Sequence, residues 1–323
     1  MRRVAAFLLS AIVAASVSAQ SAKSGLLEAN AALQAGEADK ALILLRSTPP
    51  PASGSAEAHN LNCRVLFTLE KWDDAGSECA QAVSLDPQNS NYHLWLARTL
   101  GERAEQGSFM NAYSLAKRSR AEFEASVQLD PHNLEALADL GEFYSSAPGV
   151  VGGSFEKAQS VAAQLDKFDP ARAHELRGRI ASGNKDYGTA EKEFKQAIEV
   201  SSHPAFQWAT LASFYRRRER WTEMEWAVQN CMVAAERDKH AGVALYNGAS
   251  VLIQAHRDNN LAIKMLETYL SGPIKTEEAP AFVAHMWLAR LKFKSGDPEA
   301  ARRERASALA LANQYRPAQD LKD

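Results

Sequence analysis

One hexapeptide occurs twice in this chain almost unchanged, as His93-Leu94-Trp95-Leu96-Ala97-Arg98 and as His285-Met286-Trp287-Leu288-Ala289-Arg290. Self-similarity at this distance points to an array of equivalent units, and a fold assigned without it would be wrong throughout. A second echo supports the array: Leu85-Asp86-Pro87-Gln88-Asn89 returns as Leu129-Asp130-Pro131-His132-Asn133, and Asp169-Pro170 follows. Each Asp-Pro pair is expected to close an amphipathic helix, because proline cannot continue one and biases its predecessor away from helical backbone angles. Between these stops the pattern predicts a helix, a turn containing Gly or Asn, and a second helix. Composition agrees, since alanine supplies 58 of the 323 residues while aromatics make up 8%. Such a chain favours closely packed helices and excludes an all-β fold. With 46% apolar residues it can also bury a sizeable core.

Ala41, Ala75, Ser119, Ala158, Ala190, Ala262 and Ala301, with the larger Met224 in the same register, recur at intervals of 32 to 44 residues. Units are filled out by Leu140-Gly141 with Tyr144, by Tyr187, Phe194 and Ala197, and by Trp208, Leu211, Ala212 and Tyr215. On these residues the chain resembles the tetratricopeptide repeat family, whose 34-residue unit is two antiparallel helices with small residues at repeat positions 8 and 20. The resemblance implies an all-α, right-handed superhelical solenoid of stacked hairpins, with first helices lining a concave side. The physical reason is close approach: small side chains let helices near one another, while large ones such as Trp208, Leu140 and Phe194 fill the layer between hairpins. No hairpin could bury its apolar face alone.

Residues 1–19 read as a cleaved secretory signal, with basic Arg2 and Arg3, an apolar run from Val4 to Val17, and the small residues Val17-Ser18-Ala19 at the cleavage site. The run is short of the roughly twenty residues that span a bilayer, so no stable membrane insertion is expected after cleavage. The protein is therefore expected to be exported, periplasmic or secreted. Residues 20–55 are assigned to a degenerate first hairpin and a linker, Ser47-Thr48-Pro49-Pro50-Pro51-Ala52-Ser53-Gly54-Ser55, across which that hairpin docks loosely. About seven hairpins then occupy 56–314, and 315–323 form a tail. Cys63 and Cys79 fall on consecutive helices of one hairpin, where a bridge is geometrically possible, although two buried thiols are the commoner arrangement; Cys231 has no evident partner.

Two insertions exceed what the repeat requires. About ten residues around Gly101–Ala116 lengthen a helix pair carrying Lys117, Arg118 and Arg120. The other, Ala147-Pro148-Gly149-Val150-Val151-Gly152-Gly153-Ser154, is either an enlarged turn or a backbone nest for an anion ahead of the helix at Phe155. A nucleotide loop is absent, because no Lys-Ser/Thr follows the glycines. His59, His93, His174 and His285 share repeat position 4, a packing position, and no His or Cys spacing suits a metal. No nucleophile elbow is present either. No cofactor, metal or enzymatic activity is expected.

The 37 basic and 39 acidic residues leave no excess cationic field, so nucleic acid is not an expected partner. At repeat position 9, which the resemblance places on the concave face, stand Arg64, Arg98, Arg179 and Arg290, and position 5 adds Asn60 and Asn247. These residues could bind an extended acidic peptide through charge-assisted hydrogen bonds in the style of a carboxylate clamp. The plainer alternative pairs each arginine with an acid along the stack. The expectation is a non-enzymatic scaffold that binds a protein segment in its groove. A structural subunit of an envelope or transport complex is the alternative.

Overall fold

The computed structural model of this protein describes residues 24–50 and 52–321. The segment read as a signal, 1–19, lies outside the described residues. Every regular element among them is helical, and consecutive helices pair as antiparallel hairpins. The first hairpin joins α1 (24–34) to α2 (Ala38–Ser47). The next three are α3 (Ala56–Thr68) with α4 (Trp72–Leu85), α5 (Ser90–Gln106) with α6 (Phe109–Leu129), and α7 (Leu134–Ser146) with α8 (Phe155–Leu165). Four more follow: α9 (Pro170–Gly183) with α10 (Tyr187–Val200), α11 (Pro204–Arg217) with α12 (Trp221–Ala235), α13 (Gly242–Ala255) with α14 (Asn259–Ser271), and α15 (Ala281–Lys294) with α16 (Pro298–Leu311). A single turn, α17 (Arg316–Gln319), is the last element among the described residues. The fold is an all-α solenoid of stacked hairpins.

Local chemistry sets the hairpin ends. Asn133, Asp186 and Asp258 each accept a backbone N–H of the following first turn, satisfying donors that a helix cannot pair internally. Asp86 and Asp130 do terminate α4 and α6, but Asp169 is the N-cap of α9 with Pro170 in its first turn, so that pair opens a helix instead of closing one. Six hairpin turns have positive φ at Gly36, Glu70, Lys185, Glu219, His256 and Gly296, with Asp258 a second such residue beside His256 and Gly152 another in the inserted α7–α8 turn. Side chains tolerate that backbone at four of the six, whereas Gly36 is required, because a Cβ there would lie 2.7 Å from the backbone nitrogen of Ala281. The register of small residues is close-packed as expected: Ala75, Ala190 and Ala212 are fully buried, and a Cβ on Gly141 would lie 2.3 Å from Leu176. Met224 is fully buried in the same register.

The termini depart from the sequence reading. The first hairpin is not loose, since Leu26, Leu33, Ala41 and Leu45 are buried in a core that also holds Phe282, Leu288 and Ala308. The apolar faces of α1 and α2 therefore meet the last hairpin as well as the second. Tyr315, expected in a tail, is fully buried edge-to-face against Phe282 at 4.9 Å and donates to Glu70 at 3.0 Å. Polar contacts line the same seam: Arg64 binds Glu277 through Nε at 2.9 Å and Nη2 at 2.5 Å, Gln34 donates to Glu277, and Asp39 accepts the backbone N–H of Asn313. First and last hairpins thus touch, and the solenoid closes into a ring.

Cys63 and Cys79 are joined as a disulfide, with Cα atoms 5.2 Å apart. This corrects the expectation of two buried thiols: the antiparallel pairing of α3 and α4 sets these two positions face to face. Cys231 donates to the carbonyl of Ala244, and burial pushes its thiol up to about 12. The first insertion lengthens α5 to 17 residues and α6 to 21. The glycine insertion is an enlarged turn and not an anion nest, because the N–H groups of Val151, Gly152, Gly153 and Ser154 all bond to carbonyls of Pro148, Gly149 and Tyr144. Arg120 packs against Gly152.

Candidate functional site

Of the position-9 arginines, Arg98 and Arg290 line the interior space, Arg179 lines the space beside it, and Arg64 lies at the seam between the first and last hairpins. The chemistry they meet differs from a free cationic track. Arg98 on α5 binds Asp139 of α7 through Nε at 2.6 Å and Glu135 through Nη2 at 3.2 Å, while its guanidinium lies 4.7 Å above the ring of Trp95. Arg179 on α9 binds Glu142 of α7 at 2.8 Å and Glu175 of its own helix at 2.9 Å. Arg64 is held by Glu277 across the seam and by Asn30 of α1 at 3.2 Å. Arg290 lines the interior and forms no ion pair among the described residues. The acidic-peptide clamp is corrected on this point: three of its four guanidinium groups are spent joining hairpins, with donors already occupied. Asn60 is buried between helices with its amide nitrogen unpaired, and Asn247, half-buried on α13, lies outside the main cavity.

That cavity has a volume of about 930 Å³ and opens to solvent. It is at the upper end of the range of about 300–1,000 Å³ common for ligand pockets. Its walls come from both halves of the ring, α3, α5 and α7 on one side and α13, α15 and the residues after α16 on the other. Aromatic rings cluster there, among them Phe123 and Phe143, 6.3 Å apart. Phe67 stands edge-to-face to Trp72 at 4.9 Å and to Trp95 at 5.4 Å, while Tyr246 stacks on Trp287 at 4.5 Å. The connection between α14 and α15 brings Glu277 to α3 and Glu278 to the cavity wall. A neighbouring space of about 610 Å³ shares Arg98, Asp139 and Glu278 and continues to Phe168 and Phe206.

Carboxylates dominate the charged lining. Desolvation raises Glu102 above the ordinary carboxylate range, and the nearby Glu105 and Glu70 raise it further. Glu278 is raised by desolvation and by Glu135, although Arg98 opposes the shift. Asp139 is also raised by burial, against the pull of its partner Arg98. Among the described residues no group of three or more His, Cys, Asp or Glu side chains is arranged to hold a metal ion. No described helix is long and apolar enough to cross a membrane.

The four position-4 histidines do bridge the two helices of their hairpins. His59 pairs with Glu78 and His93 with Glu122, each at 2.6 Å; His174 pairs with Glu193 and His285 with Glu304, each at 2.7 Å. The sequence signal that would have found these clasps is a glutamate 19 residues after the histidine, or 29 where the long insertion intervenes. The acidic interior had no such local signal.

The family description Tetratricopeptide repeat matches residues 171–204, the unit formed by α9 and α10. No curated protein matches the chain. Among solved structures, the chain is similar to the C-terminal part of a TPR repeat-containing protein from Cytophaga hutchinsonii at 15% identity and a TM-score of 0.43, covering 92% of this chain and 100% of that one. It is similar to MamA at 18% identity and a TM-score of 0.40, over 50% of this chain and 87% of MamA. Pseudomonas aeruginosa PilF is 14% identical with a TM-score of 0.37, over 83% of this chain and 97% of PilF.

Proposed function

We propose that this protein is a non-catalytic helical-repeat scaffold, exported from the cytoplasm, that takes a protein segment into the interior of its ring. The observation that carries the reading is the aromatic-walled, solvent-open cavity formed by first helices, whose rings offer large contact area at low entropic cost. Export is supported by the basic, apolar and small-residue order of 1–19 and by the Cys63–Cys79 disulfide, a bond that persists in oxidising compartments. A second reading, a structural subunit of a larger envelope assembly, is favoured by exposed Trp226 and Val233, seven residues apart on one face of α12.

A photo-crosslinking residue placed at Phe143 in the cavity and, separately, at exposed Trp226 distinguishes the two. Protein adducts formed in cells through position 143 and not 226 support the scaffold; adducts through 226 alone select the structural subunit. Terminal sequencing of the same material should begin near Gln20. An intact Met1 terminus in the cytosol would reverse the assignment of compartment.

A further inference from the structure

We propose that the segment taken into the ring is basic, and that its Lys or Arg side chains are each seated between a carboxylate and an aromatic face of the cavity. The inference rests on the scaffold reading above and supplies its ligand chemistry. Its first ground is the charge left over once internal pairs are counted. Arg98 is committed to Asp139 and Glu135, and Glu277 to Arg64. Among the described residues Glu102 and Glu105 on α5, Glu70 in the α3–α4 turn and Glu278 before α15 form no ion pair, although Arg98 and Arg172 act on Glu278 at longer range, and all four line the cavity. Among the described residues of the wall, Arg290 is the cation that forms no ion pair. A segment bearing several positive charges complements that surface; an acidic one meets repulsion.

The second ground is the lining itself. A guanidinium or ammonium over an aromatic face is attracted by the ring quadrupole, most strongly over Trp. Trp72 and Glu70 both line the cavity, and Tyr246 stacked with Trp287 forms a second aromatic platform from α13 and α15. The chain displays this mode of recognition within its own wall: Arg98 sits 4.7 Å above Trp95 with Asp139 at 2.6 Å, and Arg64 reaches the same ring at 5.5 Å while bound to Glu277. Arginine gripped between carboxylate and indole is thus a geometry this interior already builds. The third ground is electrostatic cost: desolvation and like-charge neighbours disfavour ionisation at Glu102, and an incoming cation removes that cost.

A phage library of random decapeptides, panned on the folded wild type and on the Glu102→Gln/Glu278→Gln variant, tests the proposal. Both proteins are first checked for equal helical circular dichroism. Wild type should enrich Lys and Arg at least twofold over the naive library, and the variant should lose that bias. A selected basic peptide, measured by calorimetry, should bind the variant at least fivefold more weakly and lose affinity for wild type as salt is raised. Enrichment of Asp and Glu, or binders with no charge bias, overturns the proposal and leaves the scaffold reading standing. Spermine binding where no peptide is selected means a small polycation is the occupant, which also overturns it. A library yielding no binder that depends on the cavity overturns the scaffold reading together with it.

Discussion

Glu191 accepts hydrogen bonds from Lys195 at 2.7 Å, Tyr215 at 2.9 Å and Arg220 at 2.5 Å, so one carboxylate ties α10 to α11 and to the turn that leads into α12. Burial opposes its ionisation, but the three donors outweigh burial and hold its pKa at about 2. A carboxylate with a lowered native pKa contributes stability that is complete above its ordinary value of 4.5 and disappears as pH falls through about 2. Glu191→Gln should therefore destabilise the protein by about 1–2 kcal/mol at pH 7, a figure reduced because Lys195 and Arg220 are partly exposed. Urea denaturation of the two proteins should converge near pH 2; a constant difference across that window would locate the effect in packing. At this scale the sequence was half legible. Position 4 identified His59, His93, His174 and His285 as packing residues, and their glutamates stand at a fixed spacing. Position 9 identified the arginines but not their acids, because Asp139 is 41 residues from Arg98 and Glu277 is 213 from Arg64.

Hairpins were the most legible objects in the chain, since helix stops, small residues and apolar spacing all act within a few turns. What the pattern left open was the state of the second hairpin's cysteines, because the register that packs two thiols also permits a bridge. The bond between Cys63 and Cys79 closes a loop of 16 residues, for which chain-entropy arguments give about 3 kcal/mol. Replacing both cysteines with alanine should cost about 2–4 kcal/mol in chemical denaturation and abolish the sensitivity of wild type to reductant. If reductant leaves the wild-type midpoint unchanged, the bond does not constrain the folded protein. The insertions differ in this respect. Extra residues near Gly101 were visible by count and do lengthen α5 and α6 as read from the sequence. The glycine insertion resembled an anion cradle in composition, and its backbone donors prove to be consumed by the turn.

Ring closure is the property of the whole molecule that no local pattern encodes. Gly36 against Ala281, Arg64 with Glu277, and Tyr315 with Glu70 each join residues more than 200 positions apart. The same closure alters the charge of the interior where a cationic groove was expected: it brings Glu277 to Arg64, which it neutralises, and Glu278 to the cavity wall, where it adds to the carboxylates of α5 and α7. Glu277→Ala should strand the half-buried Arg64 and cost about 2–4 kcal/mol. Hydrogen exchange should then accelerate in 24–47 and 281–311 together while 134–200 keeps its protection; acceleration confined to the loop bearing residue 277 would mean the apolar seam holds the ring unaided. In an open stack a unit can be lost or duplicated and the molecule merely becomes shorter or longer. Here the curvature of each hairpin must sum to one full circuit, so the length of the chain is itself a structural constraint. A deletion of any internal 34-residue unit would leave two faces that no longer meet, and the gene can vary at its surfaces far more freely than in its number of repeats.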